Sequence, residues 1–131
     1  MDSYWMKLVP IYFKGIQGDD EVYLKAAACV KHFVAHSGPE TFRHGFDSKV
    51  SMKDFYETYT PAFHHCVKDG HVEAVMGAYN SINSSSYLIQ EVLRDGFDGH
   101  FVSDCGDISD IYTAHYAVPI YFELDGKKSL T

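Results

Sequence analysis

Cys29-Val30-Lys31-His32-Phe33-Val34 is the stretch that decides the fold, because it is a short, apolar and β-prone run. Two similar runs follow it, at residues 72–79 and 99–103. Helical patterns separate the three runs, at residues 51–70 and at residues 87–96. Strand, helix, strand, helix, strand at this spacing predicts βαβ units, a parallel sheet and therefore an α/β fold.

The segments around this core extend the same pattern. Residues 4–16 place apolar side chains at helical spacing and predict a first helix, although it contains a proline. Residues 19–28 predict a short alanine-rich turn of helix, and residues 35–50 a long loop. Pro61 is expected to kink or split the helix at residues 51–70. A last helix is predicted at residues 107–116.

Length, composition and charge narrow the class of protein. The chain has 131 residues, 46% hydrophobic and 22% charged, which predicts one globular domain or a piece of one. A net charge of −7 argues against nucleic acid and against anionic membrane surfaces as partners. No apolar run approaches a membrane span, and no signal peptide is visible, so we expect a cytoplasmic protein if Met1 is the true start.

Cysteine and histidine patterns argue against a metal or disulfide framework. The three cysteines are odd in number and widely spaced, and we expect small buried side chains in a reducing compartment. Among the eight histidines, His32 and His36 have the spacing of a metalloprotease pair. They lie in a strand and a loop, however, and no glutamate follows the first. We therefore expect no metal and no cofactor.

Polar residues close each of the three apolar runs, as Lys31-His32, Tyr79-Asn80 and Ser103-Asp104. Parallel α/β proteins build their sites at the carboxyl ends of strands, so these residues are expected to converge on one cleft. Asp104 beside a glycine-containing turn could act as a nucleophile or general base. The alternative is an aspartate that caps the following helix.

Each of the other candidates also has a plainer alternative. Lys31 and His32 could donate hydrogen bonds to a ligand, or be a solvated surface cation and a core histidine. A Schiff base on Lys31 is a further alternative, but no other feature of the sequence supports it. Arg43 could bind vicinal hydroxyls or orient a carboxylate, or lie on the surface. Tyr79 could present an aromatic face and a phenol to a ligand at the end of a strand, or it could be a tyrosine of the core.

A set of short motifs occurs in a fixed order along residues 15–115. They are Gly15-Ile16-Gln17-Gly18-Asp19-Asp20, Val30-Lys31-His32-Phe33, His36-Ser37-Gly38-Pro39-Glu40, Arg43-His44, Met76-Gly77-Ala78-Tyr79-Asn80, Gly96-Phe97-Asp98-Gly99 and Val102-Ser103-Asp104-Cys105-Gly106. Each motif is weak alone, but their order and spacing are specific. Together they resemble glycoside hydrolase family 3, the β-glucosidase and β-xylosidase family.

The resemblance implies a retaining, exo-acting O-glycosyl hydrolase of carbohydrate catabolism. Its substrates would be β-linked oligosaccharides or aryl and alkyl β-glycosides, from which it removes terminal non-reducing β-D-glucosyl or β-D-xylosyl residues. Asp104 matches the family's nucleophile. Lys31, His32, Arg43 and Tyr79 match substrate-binding positions. The implied fold is part of a (β/α)₈ TIM-barrel-like catalytic domain.

Departures from the family pattern imply that this domain is incomplete. A (β/α)₈ barrel takes about 250 residues, and the family's acid/base glutamate lies beyond the end of this chain. The similarity lapses after His115, so we expect residues 116–131 to be a divergent tail. We therefore expect residues 1–131 to be a fragment of the family's N-terminal domain that needs missing barrel segments or an oligomer partner. The alternative is an inactive, truncated remnant that at most binds sugar or assembles with a partner segment.

Overall fold

The computed structural model of the chain describes residues 4–84 and 97–114. The helix predicted at residues 87–96 and the tail at residues 116–131 lie outside the described residues, so neither expectation is compared with the structure. The described elements follow in chain order. They are α1 (Tyr4–Gln17), β1 (Cys29–Phe33), a 3₁₀ turn (Glu40–Phe42), β2 (Asp47–Ser48), α2 (Met52–Asp54), a π-helical turn (Phe55–Tyr59), α3 (Pro61–Lys68), β3 (Ala74–Gly77), β4 (Ser81–Ile82), β5 (His100–Val102) and α4 (Asp107–Thr113).

A parallel sheet organises the described residues, with strand order β1-β3-β5. Val30 lies opposite Val75, and Val75 opposite Phe101, so β3 is hydrogen-bonded on both sides. The three strands are the three apolar runs of the sequence, which confirms the predicted α/β class and the parallel pairing. A second, two-stranded parallel sheet joins β2 to β4 and was not predicted.

The core lies between the sheet and the helices that pack on it. Its most deeply buried side chains come from β1, the π-helical turn, β3 and β4, and the segment after β1. Phe33 meets Phe63 of α3 edge to face, with ring centroids 4.8 Å apart. Phe13 of α1 joins the same cluster. Burial of these apolar side chains, at about 1.5–3 kcal/mol each, is the main term that holds the layers together.

Local signals set the helix boundaries. Gly18 takes a left-handed conformation (φ 88°) directly after α1, where a side chain would be strained. The Ser51 hydroxyl accepts a hydrogen bond from the backbone N–H of Asp54 and so caps α2. Pro61 is the first residue of α3, where its missing N–H has no helical partner to lose. The predicted split of the helix at residues 51–70 is thus confirmed.

Two predictions from the sequence are wrong. Residues 19–28 form no helix, because the Asp20 carboxylate accepts the backbone N–H groups of Val22 and Tyr23 and holds a turn instead. The cysteines were expected to be buried, but Cys29 and Cys105 are exposed. Both lie on the strands at the margins of the sheet or just beyond them, where little covers them in the described residues.

The surface of the described residues carries several apolar side chains. Ile11, Tyr12, Val22 and Tyr23 are each mostly exposed, and Phe101 of β5 is 47% exposed. No helix in residues 4–84 or 97–114 combines the length and the apolar character needed to cross a membrane.

Candidate active site

The carboxyl ends of β1, β3 and β5 bring three of the predicted site residues together. His32 lies near the end of β1, Tyr79 follows β3, and Asp104 follows β5. The Nε2 atom of His32 is 3.2 Å from Oδ2 of Asp104. The Tyr79 hydroxyl donates a hydrogen bond of 2.6 Å to the backbone carbonyl of Cys105. Parallel strands place these side chains at one edge because their carboxyl ends point the same way.

The Asp104 carboxylate is held at two points in a largely enclosed position. Its side chain is 16% exposed. Oδ1 accepts the backbone N–H of Cys105 at 2.8 Å, while Oδ2 faces His32. Asp104 does not cap α4, because Gly106 occupies the cap position in a left-handed conformation (φ 81°). An oriented carboxylate of this kind can act as a nucleophile or as a general base.

The His32 imidazole is kept in its neutral form by its surroundings. Burial lowers the pKa of His32, and it outweighs the opposite effect of the Asp104 carboxylate. Lys31, His36 and Arg43 lower this pKa further, which shows that positive charge gathers at the same edge. A neutral ring protonated at Nε2 can donate a hydrogen bond to Asp104.

Arg43 and Tyr79 form a second side of the site. The guanidinium carbon of Arg43 lies 5.1 Å from the centre of the Tyr79 ring, at the distance of a cation–π contact. Arg43 also pairs with Glu40 at 3.1 Å. Burial and the nearby Asp104 raise the pKa of Tyr79, so its hydroxyl stays protonated near neutral pH. Arg43 therefore presents N–H donors beside Tyr79, while the Tyr79 hydroxyl, whose proton is donated to Cys105, can accept a hydrogen bond.

Lys31 stands apart from this contact network. It is exposed, and among the described residues it makes no hydrogen bond or ion pair, although its charge acts on His32 and on Cys29. The structure thus connects His32, Asp104, Tyr79 and Arg43 by direct or successive contacts, and leaves the Lys31 ammonium nearby and exposed.

Buried contacts of Asn80 that the sequence did not predict connect the segments next to this site. Asn80 is buried, and its Nδ2 group donates to the carbonyl of Val34 and to the hydroxyl of Ser48, each at 3.2 Å. Its Oδ1 atom has no partner in the described residues. Asn80 thereby joins the end of β1 to β2. Only its place after an apolar run pointed to it.

Asp47 makes a second connection between the loop and the segment after β3. It accepts hydrogen bonds from Lys49 and from both the backbone and the hydroxyl of Ser84. Burial acts to raise the pKa of Asp47, but these hydrogen bonds outweigh it and hold that pKa well below its usual range. The loop that carries Arg43 is thus anchored to the segment that follows β4.

A third missed contact joins the same loop to α4. Nδ1 of His44 lies 2.6 Å from Oδ2 of Asp110, and the His44 ring also packs on Tyr79 with centroids 4.6 Å apart. His44 stood beside Arg43 in the sequence, but no pattern connected it to Asp110.

The distribution of potential metal ligands and the position of one cavity are further features of the described residues. In residues 4–84 and 97–114, no three His, Cys, Asp or Glu side chains gather as metal ligands. A cavity of about 300 Å³ lies at the opposite, amino-terminal ends of β3 and β5, where His71, Glu73 and Phe97 line it. The polar edge at Asp104 is the candidate active site because His32, Tyr79 and Arg43 gather there.

Comparison with curated proteins gives close relatives for most of the chain. Over 111 residues it is 48% identical to the xylan 1,4-beta-xylosidase of Xylanibacter ruminicola, a match that covers 78% of this chain and 13% of the relative. It is 44% identical over 102 residues to a probable exo-1,4-beta-xylosidase, bxlB, of Aspergillus clavatus, covering 68% and 13%. The chain thus spans about 13% of the length of these relatives.

Solved structures resemble the described fold. A GH3 exo-beta-xylosidase, XlnD, in complex with a xylobiose aziridine activity-based probe superposes with a TM-score of 0.75 at 28% identity, over 86% of this chain and 16% of that one. The β-glucosidase of Listeria innocua in complex with gluconolactone gives 0.71 at 29% identity, over 86% and 17%. The parallel strands and helices are accordingly part of a TIM-barrel-like α/β fold.

The family itself is established by the extent of one match. Residues 4–130 match the glycosyl hydrolase family 3 N terminal domain, which is nearly the whole chain. The resemblance seen in the ordered motifs is thereby confirmed. This chain belongs to glycoside hydrolase family 3, within its N-terminal domain.

Proposed function

We propose that the chain supplies the nucleophile side of a retaining, exo-acting β-glycosidase that removes terminal non-reducing β-D-xylosyl or β-D-glucosyl residues. The observation that carries the proposal is the Asp104 carboxylate, held between the Cys105 N–H and His32 at the carboxyl edge of the sheet. The curated relatives quoted above are named xylosidases, which favours a β-xyloside, and a β-glucosidase among the solved structures keeps the β-glucoside open.

Asp104 acts as the nucleophile in this mechanism. Its carboxylate oxygen forms a bond to the anomeric carbon while the bond from that carbon to the leaving oxygen breaks, and a general acid gives the leaving oxygen a proton. Water then attacks the glycosyl-enzyme, loses its proton to the same residue now acting as base, and restores the Asp104 carboxylate. The resemblance implies that this acid/base is a glutamate outside the chain. The hydrogen bond from Cys105 orients the carboxylate for attack.

Lys31, His32, Arg43 and Tyr79 bind the sugar in the subsite next to Asp104. Lys31 and Arg43 supply charged donors, which suit the lone pairs of sugar hydroxyls. The Tyr79 oxygen and the Nδ1 atom of the neutral His32 ring can each accept a hydrogen bond from a sugar hydroxyl, because their protons are donated to Cys105 and to Asp104. The exposure of Lys31 leaves its ammonium accessible to a ligand.

The chain is a segment of a (β/α)₈ domain in this proposal, and further barrel strands are its structural partners. A second candidate function is a segment that assembles with a partner or binds sugar without turnover. The observation that favours it is β5, whose three residues are all exposed in the described part of the chain. A sheet margin of this kind offers unpaired backbone groups to another strand.

Labelling of Asp104 distinguishes the two candidates. The 131-residue chain is incubated with 2-deoxy-2-fluoro-xylosyl fluoride and, separately, with the glucosyl analogue, and the peptide that carries Asp104 is weighed. Fluoride leaves without acid catalysis, so a formed nucleophile site is sufficient. We expect a mass increase of one fluoro-sugar on this peptide, and the faster reagent identifies the preferred sugar.

Asp69→Asn is the control, since Asp69 is exposed and follows α3, remote in sequence from the strand ends. Labelling that persists in Asp104→Asn would refute the nucleophile assignment. An unlabelled chain would favour the assembly segment, for which the same sample is examined for sugar binding by titration with xylose and glucose.

A further inference from the structure

One short contact ties together two parts of the chain that are distant in sequence. His44 lies in the loop that carries Arg43, and Asp110 lies in α4, 66 residues later. Nδ1 of His44 and Oδ2 of Asp110 are 2.6 Å apart, and the Asp110 side chain is only 12% exposed. A carboxylate enclosed to this degree needs a hydrogen-bond partner, and the His44 ring provides one.

Asp110 is rigidly connected to the turn that holds Asp104. The backbone N–H of Asp107 donates to the Asp104 carbonyl at 3.1 Å, and that of Asp110 donates to the Gly106 carbonyl at 3.3 Å. The first turn of α4 therefore fixes the position of the Asp110 carboxylate relative to Asp104. The His44 ring, which contacts the Asp110 carboxylate, is therefore also fixed in position relative to Asp104.

His44 also packs against Tyr79, which in turn contacts Arg43. The His44 ring lies 4.6 Å from the Tyr79 ring, and the Arg43 guanidinium lies 5.1 Å from the same ring. Tyr79 in turn donates to the Cys105 carbonyl, next to Asp104. The contacts thus run from Asp110 through His44 and Tyr79 back to Cys105, the residue next to Asp104.

We infer that His44 and Asp110 are positioning residues, which hold Arg43 and Tyr79 in place for sugar binding beside Asp104. The inference rests on the proposed function, because it assigns the pair a part in binding the same sugar. Neither residue needs to touch the sugar. Loss of the pair releases the loop from α4 and leaves Asp104 oriented by Cys105 and His32, so binding of the sugar weakens while the reactivity of the carboxylate is retained.

The chain contains a matched control for this pair. Nδ1 of His65 lies 2.6 Å from Oδ2 of Asp69, the same distance and the same atoms, at the end of α3 and without a contact to the site in the described residues. Asp110→Asn and Asp69→Asn each remove one carboxylate charge from a His–Asp pair. The comparison controls for the loss of a charge. Because the Asp69 side chain is 53% exposed and that of Asp110 only 12%, separate values of KI and kinact are needed to identify a positioning role.

The kinetic test measures the two constants of labelling by the 2-fluoro-xylosyl fluoride. In Asp110→Asn and His44→Ala we expect the inhibitor constant KI to rise about tenfold, the scale of one lost charge-assisted hydrogen bond. The rate constant kinact should stay within about twofold of the wild-type chain, because Asp104 keeps its own contacts. Asp69→Asn should leave both constants unchanged. An unchanged KI in Asp110→Asn overturns the inference, as does a fall confined to kinact.

Nuclear magnetic resonance of the same proteins keeps the inference testable apart from the proposed function. Asp110→Asn should shift the ring signals of Tyr79 and the side-chain N–H signal of Arg43, while Asp69→Asn should leave them in place. If the wild-type chain is not labelled at all, the proposed function fails. The resonance signals of Tyr79 and Arg43 then test by themselves whether the His44–Asp110 pair positions these two residues. Unshifted Tyr79 and Arg43 signals in Asp110→Asn overturn the inference in either case.

Discussion

At the scale of single residues, the site depends on how one carboxylate is enclosed and oriented. One carboxylate oxygen of Asp104 accepts a hydrogen bond from the backbone N–H of Cys105, and the other faces the neutral imidazole of His32. A neutral neighbour stabilises the carboxylate less than a cation would and leaves more of its electron density for attack on carbon. The chemistry expected of Asp104 thus depends on the protonation state of His32.

The first prediction concerns Asp104→Asn. The amide has the shape of the carboxylate and can accept the Cys105 N–H, so the fold should persist with a free energy of unfolding within about 1 kcal/mol of the wild-type value. Labelling by the fluoro-sugar should be lost, because an amide is not a competent nucleophile. Urea titration followed by circular dichroism measures the first, and peptide mass the second. A variant that unfolds at the start of the titration would contradict the prediction.

The second prediction follows from the lowered pKa of His32. In the unfolded chain a histidine takes up its proton near pH 6.5, while folded His32 does so only at lower pH. Between these two values the unfolded state binds more protons, so the stability contributed by His32 is present above about pH 6.5 and falls as the pH drops through the folded pKa. The free energy of unfolding of the wild-type chain, relative to that of His32→Gln, should therefore decrease on acidification below pH 6.5.

His64→Gln is the control for this measurement, because His64 is exposed on α3 and belongs to no part of the site. The comparison requires urea titrations at several pH values from about 5 to 8. A wild-type advantage over His32→Gln that grows as the pH falls would contradict the assigned direction of the pKa shift.

At the scale of elements, close backbone contact fixes the pairing of β3 with β5. A Cβ atom on Gly99 would lie 2.3 Å from the carbonyl oxygen of Glu73. The same carbonyl accepts the backbone N–H of His100 at 2.8 Å, the hydrogen bond that begins the ladder. A side chain at residue 99 would therefore push apart the two strands that hold Tyr79 and Asp104 in proximity.

The third prediction is that Gly99→Ala lowers the free energy of unfolding by about 1–3 kcal/mol, the usual cost of overpacking a close contact. Gly15→Ala is the matched substitution, because a Cβ atom there meets nothing within 4 Å and Gly15 lies in α1. It should raise the free energy of unfolding by up to about 1 kcal/mol through helix propensity. Equal effects of the two substitutions in urea titrations would contradict this account.

The elements that follow a periodic or apolar pattern were predictable from the sequence, and the others were not. The three main strands and α1 each have such a pattern, and Pro61 marked the division of the second helix. The pair β2 and β4 has two residues in each strand, too few for any period to show. Residues 19–28 looked helical by composition, but the side chain of Asp20 competed for the backbone and held a turn.

The candidate site was predictable as a set of strand ends together with Arg43 in the loop after β1. Parallel pairing explains why His32, Tyr79 and Asp104 lie close together. The polar residues at the end of each apolar run predicted this proximity. The contact of His44 with Asp110 depends on the path of the intervening loop, and nothing in the local sequence of either residue specifies it. The buried hydrogen bonds of Asn80 are unpredictable for the same reason.

At the scale of the whole molecule, two properties affect association with a second copy: the exposed apolar side chains of β5 and the net negative charge of the chain. Phe101 and Val102 of β5 are 47% and 38% exposed, and β5 pairs only with β3 in the described residues. An exposed strand at the margin of a sheet favours pairing with another strand. The net charge of −7 opposes the approach of a second copy, and dissolved salt weakens that repulsion.

The fourth prediction is that the chain associates with itself in a concentration-dependent and salt-dependent manner. Raising the ionic strength from about 0.01 to 0.3 M should increase the associated fraction, because the screening length falls by a factor of about five. Val102→Lys should reduce association at every salt concentration, since a lysine on a strand margin disfavours pairing. Sedimentation velocity over a dilution series measures both effects, and a monomer under all these conditions would contradict the prediction.

The long separation between His44 and Asp110 also has a consequence for the order in which the protein is made. A ribosome adds about 5–20 residues per second, so Asp110 follows His44 by roughly 3 to 13 s. During most of that interval Arg43 and His44 have been synthesised, whereas Asp104 and the helix after it have not. The loop therefore lacks its contact with Asp110 until that residue has been added, and pauses in translation within residues 45–110 would lengthen this interval.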